Sequence, residues 1–172
     1  MDKNNKLKKY KIDEPKYQKF FEALGETSNE KIQLFYLLSL ETGLRVNEIL
    51  ALKYADIDEN TIKLSLTSSR QRKFEIGINA LVLDAIKKEN LLNPTDYYIF
   101  QSNKSNNVAN KPAKHLSRQA INFAFKKASE ITGYSITPSK LRTIYIKKFF
   151  ESINKQAGHI FDEKTLKKLA SK

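Results

Sequence analysis

Cysteine is absent from the 172-residue chain, and only two histidines occur. The first absence removes disulfide frameworks and every zinc site that uses thiolates, Cys₂His₂ fingers included. The second argues against a catalytic zinc centre, so no metal and no other cofactor is expected. No apolar run approaches the roughly 18 residues that a membrane span needs. The opening MDKNNKLKKYKIDE is charged and has none of the apolar core of a signal peptide. These absences together lead to the expectation of a soluble cytoplasmic protein with no membrane partner.

Acidic residues are also in short supply. Lys and Arg number 31 against 19 Asp and Glu, a formal net charge of +12. An excess of this size on one small domain attracts polyanions, because each phosphate contact releases condensed counterions. A competing reading is compositional: a Lys-, Asn- and Ile-rich chain also follows from an AT-rich genome. Apolar residues make up 40% of the chain, enough for a domain of this length to bury a core without staples.

Residues 1–12 read as a basic arm, with Lys3, Lys6, Lys8, Lys9 and Lys11 among few apolar side chains. It either lies along phosphates or solubilises the chain. Residues 13–172 read as one domain, mainly helical with a small antiparallel hairpin. Tyr17, Phe20, Phe21 and Leu24 form a helical stripe that Gly25 is expected to stop. A second helix follows the cap candidates Ser28 and Asn29, is apolar around most of its circumference, and ends at Thr42-Gly43. A third runs from about Val46 to Lys53. Period-two alternation at 61–66 and 73–78 marks a hairpin with a basic tip, Arg70, Arg72 and Lys73. Asn79 can cap a helix that ends near Asn90, and Tyr97–Phe100 reads as a short strand or buried connector. A polar loop over 101–113 precedes a helix from about His115 to Thr132, with Leu116, Ala120, Phe123, Ala124 and Ile131 on one face and Gly133 at its end. Another helix spans Ser139 to about Ile153, and a last helical piece begins near Asp162.

Two segments carry more information than their periodicity. One is Thr42-Gly43-Leu44-Arg45-Val46-Asn47-Glu48-Ile49-Leu50-Ala51-Leu52, followed by Asp56-Ile57-Asp58. The other is Thr137-Pro138-Ser139-Lys140-Leu141-Arg142-Thr143. The first resembles the first arginine box of the tyrosine recombinases (phage integrases), TGLR-x-x-E-x-x-x-L and then D-I-D. The second resembles their second box, TP-H-x-LR-H. A hairpin and a helix opening His115-Leu116-Ser117-Arg118 lie between them, in the family's order. The resemblance covers residue 13 onward and implies the family's catalytic-domain fold.

The family's reaction explains these residue types. A tyrosine hydroxyl attacks a DNA phosphodiester and conserves the bond energy in a phosphotyrosyl link. Two guanidiniums, planar and always charged, clamp the non-bridging oxygens and stabilise the charge that develops. A hairpin lysine and histidines handle protons. By this resemblance Arg45 and Arg142 are the clamp. The competing structural readings are an ordinary helix-start arginine for Arg45 and a partly buried salt-bridge arginine for Arg142. Glu48 orients or caps the Arg45 region, and Asp56 and Asp58 are turn and cap residues. Ser117, Arg118 and Gln119 are candidates for phosphate or base-edge contact, with Arg70, Arg72, Lys73 and Lys140 as further phosphate contacts. A solvated helix start is the alternative for residues 117–119.

The departures from the family are as informative. Ser139 stands at the box-two histidine, and a hydroxyl cannot shuttle protons near neutral pH. Thr143 stands where a histidine often follows the arginine. The expected hairpin lysine falls near Thr67, and Lys73 replaces it only after a register shift of several residues. After Arg142 the sequence has one tyrosine, Tyr145, on a face that suggests packing, and it ends at Leu169-Ala170-Ser171-Lys172, about where a Leu-Gly-His segment belongs. The expectation is therefore a degenerate member: a bacterial or phage-encoded, nucleoid-associated binder of double-stranded DNA that does not cleave on its own. It would regulate a phage or mobile element, with a homo-oligomer or a recombinase partner on DNA. The alternatives are a truncated catalytic domain of an active site-specific recombinase, and a helical interaction module whose basic surface reflects genome bias.

Overall fold

In a computed structural model of the chain, residues 12, 14–58, 63–67, 73–102 and 112–157 are described. Among the described residues, six α-helices and a three-stranded sheet follow one another: α1 (Pro15–Thr27), α2 (Glu30–Thr42), α3 (Val46–Leu50), β1 (Ile57–Asp58), β2 (Lys63–Thr67), β3 (Lys73–Gly77), α4 (Ala80–Leu92), α5 (Arg118–Thr132) and α6 (Pro138–Ala157). The mainly helical class with a small antiparallel sheet is borne out. The basic arm apart from Ile12, the hairpin tip with Arg70 and Arg72, and the segment beyond 157 with its expected last helix lie outside the described residues.

α2 is the hub. Its residues 31–39 are all buried, as an apolar circumference requires, and it packs on α1, α4 and α6 while α1 packs on α5. At the centre is an aromatic cluster. Phe20 stacks on Tyr36 at 5.9 Å, and Phe35 meets Phe125 at 6.1 Å and Phe100 at 5.9 Å, both edge to face. Such pairs add stability beyond the area they bury.

The helix ends follow local chemistry. Asn29 Oδ1 accepts from the Ile32 N–H at 3.2 Å and Asn79 Oδ1 from the Leu81 N–H at 2.8 Å, each satisfying a donor that a helix start leaves orphaned. Gly43 and Gly133 close α2 and α5 in the left-handed region, at φ 62° and 71°.

Four expectations need correction. Gly25 does not stop α1, which runs on to Thr27; the glycine instead lets the helix approach the Gln33 side chain, whose Nε2 would stand 2.4 Å from a Cβ there. α3 ends at Leu50, and the chain then tightens into a 3-10 turn at Tyr54–Asp56. α5 begins at Arg118, because Ser117 caps it by accepting from the Ala120 N–H at 3.1 Å; His115 is left in an antiparallel bridge with Gln101. The buried stripe of α5 is Ile121, Ala124, Phe125 and Ala128, while Phe123 and Ile131 are 60% and 59% exposed. The hairpin register, Leu64 opposite Ile76, agrees with the alternation, and β1 adds a third strand beside β2.

Tyr36 supplies a stability test. Its hydroxyl donates to the Tyr17 carbonyl at 3.1 Å. Burial first, then the charges of Tyr17 and Glu14, push its titration far above the ordinary 10.0. A phenol that ionises more readily unfolded than folded stabilises the fold fully below pH 10, and that contribution is lost as pH rises beyond it. Tyr36→Phe is expected to cost about 0.5–1.5 kcal/mol at neutral pH and to flatten the alkaline fall in stability. Urea midpoints on either side of pH 10 measure both; an unchanged alkaline slope would refute the assignment.

Candidate functional site

Arg45 sits where α2 hands over to α3. Thr42 Oγ1 donates to the Leu38 carbonyl at 2.6 Å and accepts from the Leu44 N–H at 3.3 Å. Gly43 turns the chain, Leu44 is buried, and Arg45 emerges as the residue before α3. Glu48 then acts twice: Oε2 accepts from the Arg45 N–H at 2.7 Å, and Oε1 lies 3.6 Å from a guanidinium nitrogen of Arg45. Glu48 therefore both caps α3 and orients the arginine. The Arg45 side chain is 63% exposed, which leaves its outer nitrogens to solvent or a ligand.

Arg142 lies in the second turn of α6. It is partly buried, and among the described residues its Nε is enclosed with no hydrogen-bond partner. A salt-bridge role would show a carboxylate here, and none of the ion pairs among the described residues involves it. One turn on, at i+3 and so on the same face, is Tyr145. Its ring lies directly on Gly43: a Cβ at that glycine would stand 2.1 Å from Cδ1. The loop carrying Arg45 is thus pressed against the α6 face that carries Arg142. Tyr145 also stacks on Phe149 at 6.0 Å and 14°, so its ring is engaged in packing. The steric role of Gly43 was not read from the sequence; its signal was a glycine two residues before an arginine.

The other candidates separate. Ser139 is exposed and opens, with Arg118, Lys126, Ser129 and Thr137, onto a cleft of about 520 Å³ between α5 and the start of α6. Thr137 Oγ1 accepts from the Lys140 N–H at 3.3 Å, capping α6. Lys140 Nζ donates to the Ser135 carbonyl at 2.7 Å, on the side facing α1. Arg118 and Gln119 are exposed on the first turn of α5, while Ser117 spends its oxygen on the cap. Lys73 starts β3 opposite Thr67. Asp56 Oδ2 accepts from the Lys53 N–H at 2.8 Å, the capping role expected of it.

A family model matches residues 11–164, nearly the whole chain, and its description is the phage integrase family. The chain belongs to the phage integrase family, the tyrosine recombinases. A curated relative, the TnP I resolvase of Bacillus thuringiensis, is 30% identical over 149 residues, covering 83% of this chain and 50% of that protein. This family member therefore spans about half the length of the relative it matches. Solved structures share the fold. XerA recombinase aligns with a TM-score of 0.65 at 16% identity, over 94% of this chain and 55% of that one. The catalytic core of lambda integrase aligns at 0.60 and 22%, over 80% and 85%. XerH recombinase bound to its difH substrate in a pre-cleavage complex aligns at 0.66 and 13%, over 91% and 48%. Among the described residues, no helix of this integrase-family chain is long and apolar enough to cross a membrane.

Proposed function

We propose that this integrase-family chain binds double-stranded DNA by holding a backbone phosphate between Arg45 and Arg142, and that it does not cleave DNA by itself. The observation that carries the reading is the contact of Gly43 with Tyr145, which sets the two arginine-bearing segments side by side. Among the described residues the enclosed Nε of Arg142 has no hydrogen-bond partner and the arginine no carboxylate, which leaves its guanidinium charge for an anion such as a phosphate. A net charge of +12 supports the same polyanion. Cleavage asks for more than a clamp. Ser139 gives a hydroxyl where the family uses imidazole, and a hydroxyl holds its proton across the neutral range. A member that grips but does not cut suits a regulator of a phage or mobile element, working at the nucleoid with a second copy or with a recombinase partner.

The second reading is an active recombinase domain; the presence of both arginines, with Glu48 orienting one of them, favours it. A duplex-binding titration at several salt concentrations tests the first. Affinity is expected to fall steeply with salt, and Arg142→Ala is expected to cost about 1.5–3 kcal/mol of binding, as loss of charged hydrogen bonds does. Arg142→Lys should rescue little, because an ammonium lacks the planar fork. Binding that ignores both arginines would refute the clamp. A nicked duplex that traps covalent intermediates separates the two readings: an adduct stable to detergent would establish the active recombinase.

A further inference from the structure

Away from the arginines, three stretches of chain run side by side. Lys53 bridges Tyr98, and Gln101 bridges His115, both antiparallel. Their side chains make a ladder. The Lys53 ammonium lies over the Tyr97 ring, 5.0 Å from its centroid. Tyr97 meets Tyr98 edge to face at 4.9 Å, and Tyr98 meets His115 in the same manner at 5.5 Å. Tyr97 is 50% exposed and His115 is exposed, as is the adjacent Lys114.

The rungs are held rigidly. Gln101 Oε1 accepts from the N–H groups of Tyr97 and Tyr98, at 2.9 and 3.4 Å. Gln101 Nε2 donates to Asp96 Oδ1 at 2.9 Å, and the other oxygen of Asp96 takes the Lys31 ammonium at 3.1 Å. The His115 ring is fixed by Nδ1, which donates to the Leu116 carbonyl at 2.7 Å. Aromatic rings carried on a backbone that is fixed before any ligand arrives bind at a lower entropic cost. With the Lys53 ammonium on one of them, such rings offer a base a π-face and its phosphate a cation, the two elements of single-strand recognition. A stacked duplex offers its bases to neither.

We propose that the Lys53–Tyr97–Tyr98–His115 ladder is a second nucleic-acid surface, one that takes unpaired bases of single-stranded DNA. It rests on the DNA-binding reading only in the identity of the polyanion and uses none of the same residues.

Fluorescence anisotropy on the full chain, with a labelled oligothymidylate that cannot pair with itself and with a mixed-sequence duplex, tests it. The chain is expected to bind the oligothymidylate, Tyr97→Ala to weaken that binding about tenfold, and His115→Ala, on a separate segment, to weaken it as well. Tyr97→Phe should keep it, since the π-face remains, and duplex affinity should hardly change in any of the three. If oligothymidylate binding is insensitive to both alanine variants, or if the chain binds only duplex, the ladder proposal is overturned and the duplex reading stands. If it binds neither, both fall. Duplex affinity lost with Arg142→Ala while the oligothymidylate still depends on Tyr97 would overturn neither and establish two independent sites.

Discussion

Lys31→Met is expected to destabilise the fold by about 3–5 kcal/mol, the range for removing one partner of a buried ion pair, and to lower the melting temperature by roughly 10 °C. The Lys31 side chain is only 10% exposed. Its ammonium lies 3.2 Å from Glu89 and 3.1 Å from Asp96 and 3.5 Å from the Gln101 carbonyl oxygen. It ties the start of α2 to the end of α4 and to the connector beyond it. Methionine fills similar space but leaves two enclosed carboxylates facing each other. Nearby, Tyr54 keeps a buried hydroxyl with no hydrogen-bond partner among the described residues. Burial first, then the charges of Glu89 and Asp96, holds that hydroxyl above its ordinary titration. Adding Glu89→Gln and Asp96→Asn should recover more than half of the stability, because the penalty comes from uncompensated charge and not from lost packing. Chemical denaturation of the single and triple variants measures this, and equal losses in both would contradict it.

Gly43→Ala is the second large effect, and it reaches function. The backbone there has φ 62°, a region that costs an L residue about 1–2 kcal/mol. The new methyl would also overlap the Tyr145 ring. That ring is stacked on Phe149, so it cannot turn aside freely. The expected loss is about 2–4 kcal/mol of stability, as overpacking and backbone strain add. Because the displaced loop carries Arg45, duplex affinity should fall alongside stability although neither arginine has changed. Gly43→Ala combined with Tyr145→Ala should restore part of the affinity by making room, while the strain at φ persists. A variant that melts earlier but binds duplex as tightly as the parent would confine the contact to stability.

Much of this was readable beforehand for a physical reason. Caps and stops are local: Asn29, Asn79, Gly43 and Gly133 act within four residues of themselves. The two boxes could be placed because each is a short continuous run of sequence. Contacts that join distant segments leave no local trace. Lys31 reaches Asp96 across 65 residues, and nothing around Lys31 distinguishes it from a solvated lysine. Gly25 carries the same letter as a helix stop and serves instead as clearance for Gln33. On α5 two stripes competed, and the one holding Ile121 and Phe125 prevailed because it meets α1, whose apolar face lies opposite. His115, expected on that helix, was claimed by Gln101, and a bridge of that kind cannot be seen in periodicity.

The length of α6 gives the contact at Gly43 a mechanical meaning. From Tyr145, Arg142 lies about 4.5 Å along the helix axis in one direction, and Lys155 about 15 Å in the other, at the usual rise per residue. With the ring seated on the glycine and α2 packed along the helix, the guanidinium lies close to a fixed point. Sideways travel at the far end reaches the arginine reduced about threefold. The Lys148–Glu14 pair at 3.1 Å restrains the long arm weakly, since both side chains are about half exposed, while the buried Asn154 anchors its distal turn. Movement of the distal turns of α6 is thus passed to the second guanidinium only in reduced form.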